Sequence, residues 1–214
     1  METKLRMLPP LAVLTFGDSR EVEVQKLGRG RYTTAWRSIA DPTTVYLQVR
    51  EGENSKELLS RLAAKHIPVL ERVGTLGDCD LYKSRYYSKL TAKSGEAWRH
   101  FRALQKHIQQ AHIEQQATRS RLSGDAERAR QTNDRFQFFV EEDETLPDSL
   151  REAIVSIVTW AASYTGYLIE ICAKNLAVDS DGALILLDPI FDLTEVLGAS
   201  DRARRERAMA RRAF

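Results

Sequence analysis

The 214-residue chain is 43% hydrophobic and 29% charged, enough apolar content for one substantial core or two small lobes, which excludes general disorder. Its 32 Lys and Arg against 30 Asp and Glu leave a formal charge of +2, too small to argue for nucleic-acid binding from the balance alone. Cys79 and Cys172 offer neither a disulfide framework nor a metal-ligand spacing, and a reducing cytoplasm is the simpler reading.

At the N-terminus, Lys4 and Arg6 precede Leu8 to Leu14, but Pro9 and Pro10 break any signal-peptide core. No stretch approaches the roughly 18 consecutive apolar residues of a membrane span, so a soluble, intracellular protein is expected. Residues 21 to 50 read as strands. Glu21 to Leu27 alternates polar and apolar, and Thr44 to Arg50 is β-branched and aromatic with a similar period. Between them, Gly28-Arg-Gly30 leads into Tyr32 to Trp36, a glycine-containing hairpin able to lie over phosphates through backbone amides. Residues 54 to 65 have Asn54 as a cap and Leu58, Leu59 and Leu62 on one helical face. Two further strands are expected at His66 to Val73 and Leu81 to Leu90, on either side of a Gly77-Asp78 turn.

From Gly95 the pattern becomes helical, with Trp98, Phe101, Leu104 and Ile108 at helical spacing. Residues 114 to 134 are almost wholly polar and read as a solvated helix or loop. Pro147-Asp148-Ser149 opens a strong helix, with Ser149 and Glu152 in a capping-box pattern and Leu150, Ile154, Val158 and Ala161 as its apolar stripe. Next comes a hairpin: Leu176 to Val178, a turn at Asp179-Ser-Asp-Gly182, and a buried strand from Ala183 to Leu187. It brings Asn175 near Asp188, an amide oxygen beside a carboxylate. Both are hard ligands suited to Mg²⁺, although turns of this kind also occur in hairpins with no catalytic role.

This order of elements resembles the protein kinase fold. Gly28-x-Gly30 followed by Ala35 looks like the glycine-rich loop, with Thr33 in place of its third glycine. The 13-residue interval from Asn175 to Asp188 is similar to that between the catalytic-loop asparagine and the metal-binding aspartate. More narrowly, Leu27-Gly-x-Gly30 with Ala35 and Trp36, His66-Ile67-Pro68, Asp188-Pro189 and a basic tail from Arg202 to Arg212 resemble the early serine/threonine protein kinases of T7-like bacteriophages. The resemblance implies an α+β, two-lobed protein-kinase-like fold, minimal after Asp188-Pro189. A small antiparallel β-rich N-lobe would span residues 1–90, a mainly helical C-lobe 91–198, and a basic tail 199–214.

It also implies ATP and Mg²⁺ as cofactors, with Asn175 and Asp188 on the metal, Glu170 as the base and Gly28 and Gly30 over the phosphates. Gln48 stands where the family carries its phosphate-gripping lysine. Arg50, two residues on, is either a relocated cation or solvent-facing. Glu57 is the helix candidate for the ion-pair partner, or else a surface glutamate. Glu170 replaces the usual aspartate, and its extra methylene moves the carboxylate by about 1.5 Å. Lys174 either stabilises the transferred phosphoryl group or is solvated.

Two altered charged positions beside a retained metal pair fit a slow or atypical Ser/Thr kinase acting on host bacterial proteins, or a silent pseudokinase that binds and inhibits one. A small-molecule kinase of the aminoglycoside-kinase type is a third class. The tail, with Ser200 as cap and six arginines, is expected to dock on an acidic protein surface or on nucleic-acid-associated machinery, or to lie in solvent. The resemblance places the protein in the cytoplasm of an infected host, with no membrane association.

Overall fold

A computed structural model describes residues 2–8, 11–30, 32–50, 54–62, 64–117, 125–163 and 166–192. Seven strands form its first half: β1 (Glu2–Leu8), β2 (Leu11–Thr15), β3 (Glu21–Arg29), β4 (Thr33–Ser38), β5 (Thr44–Arg50), β6 (Leu70–Leu76) and β7 (Cys79–Arg85), with helix α1 (Asn54–Arg61) between β5 and β6. They close into a barrel in the order β1-β2-β3-β4-β5-β7-β6. Closure comes from the parallel pairing of β1 with β6, Glu2 opposite Thr75 and Thr3 opposite Leu76, while the other neighbours are antiparallel.

This corrects the expected two-lobed kinase fold. The sequence reading started its strands at Glu21 and took Lys4 to Leu14 only as a failed signal peptide. Those residues instead make a hairpin whose outer strand meets β6, leaving the sheet without an open edge. The second half is not a mainly helical lobe either. Helices α2 (Gly95–Ala117), α3 (Asp125–Glu141) and α4 (Asp148–Ala162) are accompanied by five short strands: β8 (Ser88–Lys89), β9 (Tyr167–Ile169), β10 (Leu176–Val178), β11 (Leu184–Leu186) and β12 (Ile190–Asp192). These form two small sheets, β11-β10-β8 and β12-β9.

Alternation along β5 ties the halves together. Tyr46 points into the barrel, where it packs with Leu14, Trp36 and Leu81, while Val49 on the opposite face joins the larger core. That core is built from the stripes of α2 (Ala97, Phe101, Leu104, Ile108) and α4 (Leu150, Ile154, Ile157, Val158), with Leu58 and Leu59 of α1. The polar segment 114–134 is helical on both sides of residues 118–124, which lie outside the described residues. In α3 Asn133 is buried: its Nδ2 donates to the Tyr167 carbonyl at 2.9 Å and its Oδ1 accepts from the Ile169 amide at 3.0 Å. One side chain thereby holds β9 through two backbone groups.

Helix α4 begins at Asp148 without a side-chain cap, so the capping box expected of Ser149 does not form. The Ser149 hydroxyl lies 3.0 Å from Nε2 of buried His66, whose Nδ1 lies 2.6 Å from the Leu184 carbonyl. A neutral ring protonated at Nδ1 satisfies both, donating to Leu184 and accepting from Ser149. The Leu186 amide also donates to the His66 carbonyl at 2.9 Å, so His66-Ile67-Pro68 is pinned to both β11 and α4. The basic tail, Arg202 to Arg212, lies outside the described residues. Among the described residues no helix is long and apolar enough to cross a membrane.

Candidate active site

The hairpin that the sequence suggested is present. The Asp179 carboxylate accepts the amides of Asp181 and Ala183 at 2.9 and 2.7 Å, and Gly182 takes φ +82°, a conformation that suits glycine. Beyond β11 the chain returns to its origin, for the amides of Leu187 and Asp188 both donate to the Asn175 carbonyl, at 3.0 and 3.1 Å. A 3₁₀ turn, Ala173–Asn175, and a bond from the Glu170 amide to the Pro189 carbonyl at 2.8 Å complete the frame. Glu170, Asn175 and Asp188 are therefore positioned by backbone bonds within a segment of twenty residues.

Their side chains form two linked groups. Asn175 Nδ2 donates to Glu170 Oε2 at 2.8 Å, and Lys174 Nζ lies 3.8 Å from Glu170 Oε1. Asp188 Oδ1 accepts from Lys56 Nζ at 2.9 Å and from the Ser55 hydroxyl at 3.4 Å, both in the first turn of α1. Lys56 also donates to the Leu187 carbonyl at 2.7 Å. Burial raises the Cys172 thiol above its ordinary pKa, and the neighbouring Glu170 carboxylate adds to that, which keeps the thiol protonated and unreactive.

All of these side chains except Ser55 and Cys172 border one cleft of about 610 Å³. Its walls are mainly apolar: Val45 and Leu47 of β5, Ala35, Leu70 and Ile190, with Tyr86 and Tyr87 and with Leu27, Gly28 and Gly30 from β3 and the turn after it. The β3–β4 register slips between Lys26 and Gly28, a bulge that directs Leu27 into the cleft. A side chain at Gly28 would meet nothing within 4 Å, and one at Gly30 only the Thr33 carbonyl at 3.6 Å. Neither glycine has a positive φ. Their small size thus serves the open space above them rather than the backbone. The Gly30 amide is not free, since it donates to Thr33 at 2.7 Å.

Gln48 and Arg50 are not in this cleft. They share the face of β5 that carries Tyr46, while Val45, Leu47 and Val49 take the other. Glu57 is exposed and paired with Arg61 one turn along α1. The sequence reading missed Lys56. A lysine three residues before Leu59 shares its buried helical face, and that was the available signal. The apolar wall residues and the two tyrosines were missed for a different reason, since strand neighbours across a barrel are remote in sequence.

The donor set tests whether Mg²⁺ fits. A half-exposed carboxylate and an amide oxygen are suitable hard ligands, and among the described residues no group of three or more His, Cys, Asp or Glu stands together in this cleft or elsewhere to hold a metal ion by itself. Two protein oxygens completed by water and phosphate oxygens form a shell typical of Mg²⁺. No protein-family model and no curated protein matches the chain.

Proposed function

We propose that this cleft binds a nucleoside triphosphate with Mg²⁺ and transfers its terminal phosphoryl group to a hydroxyl. The observation that carries the reading is Asp188, whose carboxylate accepts from Lys56 and whose backbone amide donates to the Asn175 carbonyl, where an apolar cleft opens beneath a glycine edge. The apolar walls and tyrosines suit a flat base, and the open edge at Gly28 and Gly30 leaves room for phosphates. Asp188 and Asn175 Oδ1 would hold the metal, which supplies charge neutralisation of the phosphates. Glu170, with one oxygen occupied by Asn175 and the other near Lys174, accepts the proton of the attacking hydroxyl.

The resemblance to early bacteriophage kinases supports Ser or Thr of host bacterial proteins as acceptors, although the barrel separates the chain from the fold of that family. Radiolabel transfer from ATP to a bacterial lysate tests the proposal. Wild type should label protein, Asp188→Ala should not, and Glu170→Gln should lower the rate by about 10²- to 10⁴-fold. Equal labelling by wild type and Asp188→Ala would refute it.

One observation favours a second reading, a silent binding module acting on a host protein. Both candidate metal ligands are engaged by neighbours, Asp188 by Lys56 and the Asn175 amide by Glu170. In that case host-protein binding survives Asp188→Ala and Glu170→Ala together. ATP and Mg²⁺ would also give no thermal shift, whereas a bound ligand at 100 times its dissociation constant adds about 2.7 kcal/mol.

A further inference from the structure

We propose that Lys56 is the cation that grips the nucleotide phosphates, delivered from the first turn of α1 and not from strand β5. The inference rests on the nucleotide reading above and assigns the charge which that reading lacked. On β5 the cleft-facing positions are Val45 and Leu47, both apolar, so the strand can offer no cation there. Among the described residues, four basic ones line the cleft: Arg29, Lys56, Arg85 and Lys174. Of these four, Arg29, Arg85 and Lys174 are exposed and Lys56 has its side chain buried, at 5% exposure.

A lysine is almost never buried unless it is paired, and an ammonium taken out of water strengthens every interaction it makes. The Lys56 partner is itself 45% exposed, so this is no sealed internal ion pair. Nζ uses two of its three protons on Leu187 and Asp188, and Lys56 lines the cleft. Ser55 lies beside it, and the first turn of α1 adds its partial positive charge at the same place. With no ligand bound, Asp188 neutralises the ammonium. A phosphate oxygen arriving with a divalent cation lets Asp188 turn to the metal and Lys56 to the phosphate, so that neither charge is left unpaired.

Lys56→Met tests this, since it keeps the length of a buried side chain and leaves the Asp188 carboxylate in contact with water. The probes are ATP with Mg²⁺, inorganic tripolyphosphate and adenosine, each titrated calorimetrically. Lys56→Met should weaken ATP and tripolyphosphate by about 10- to 100-fold, the worth of a hydrogen bond to a charged group, and leave adenosine unchanged. Lys56→Arg should retain most of the affinity. Wild-type affinity for ATP and tripolyphosphate in Lys56→Met overturns the inference while the nucleotide reading stands. A folded wild type that binds none of the three probes overturns both. Asp188→Asn in metal-free buffer provides a check that does not need the methionine variant to fold. Removing the competing carboxylate should tighten tripolyphosphate binding, and unchanged or weaker binding counts against Lys56.

Discussion

The two sides of the cleft are built by opposite means. The hairpin side, Glu170 to Pro189, is local: a turn, a 3₁₀ step and three further backbone bonds place three functional side chains within twenty residues. The barrel side is remote, because Gly28, Val45 and Leu70 come together only when seven strands close, with β1 meeting β6 some seventy residues away. The hairpin therefore places its chemistry through bonds between residues near in sequence, and the barrel supplies shape through pairings between residues far apart. Lys56 belongs to neither, since α1 crosses from the barrel to the hairpin and carries the charge between them.

The sharpest way to break this contrast is to weaken each side in its core. Leu14 in the barrel and Leu184 in the hairpin are both fully buried, and either one changed to alanine should cost about 2–5 kcal/mol. Because Val49, Leu70 and Tyr82 on barrel strands pack into the helical core, both variants should still melt in one transition. Two transitions in Leu14→Ala, followed by circular dichroism and tryptophan fluorescence, would show that barrel and hairpin are separate units. Asn133→Ala comes next. It strands the Tyr167 carbonyl and the Ile169 amide, at about 1–3 kcal/mol for each group left unpaired, and it should loosen β9 just before Glu170. Denaturant titration gives the cost. Faster amide exchange at Ile169 than in α4 would place the loosening.

How far each side could be read from the chain follows the same division. The hairpin was legible to within a residue, and so were Asn175 and Asp188 as neighbours, because Asp179-Ser-Asp-Gly182 specifies its own turn. Barrel closure was not, for nothing in Glu2 to Leu8 names Leu70 to Leu76 as its partner. Gln48 stands at a phosphate-binding position through the kinase resemblance, whereas its sharing a face with Tyr46 follows from strand alternation, and only the closed barrel decides that this face turns inward. Ser149 was legible as a helix-start residue but not as a partner of His66, eighty-three positions away, because a hydroxyl fits either role.

That bond leads to a smaller effect. Burial holds the His66 pKa below its ordinary 6.5, against the opposing pull of the Leu184 carbonyl. Lys65 and His100 also disfavour the charged ring, and Asp179 favours it. The unfolded state thus binds more protons than the folded one between pH 6.5 and the depressed native value. Stability should fall as the pH drops through that window and level off below it. His66→Gln should flatten part of this slope. Burial lowers His100 and His112 as well, so some slope remains. A profile identical to wild type, measured by urea denaturation, would show that His66 does not join α4 to the hairpin in the way its geometry indicates.

The smallest change in stability should come from the barrel edge, where it separates shape from chemistry most cleanly. A side chain added at Gly28 meets no atom within 4 Å, and the residue has no positive φ, so Gly28→Val should alter stability by no more than about 0.5 kcal/mol. The same side chain extends into the space reserved for a ligand. ATP affinity should fall by about tenfold or more, as for the loss of one well-packed contact, while the Lys56–Asp188 pair is untouched. Unchanged affinity would mean that the glycine edge does not cover the phosphates. A large loss of stability would mean that the bulge at Leu27 needs glycine beside it, making the edge a requirement of the barrel and not of the ligand.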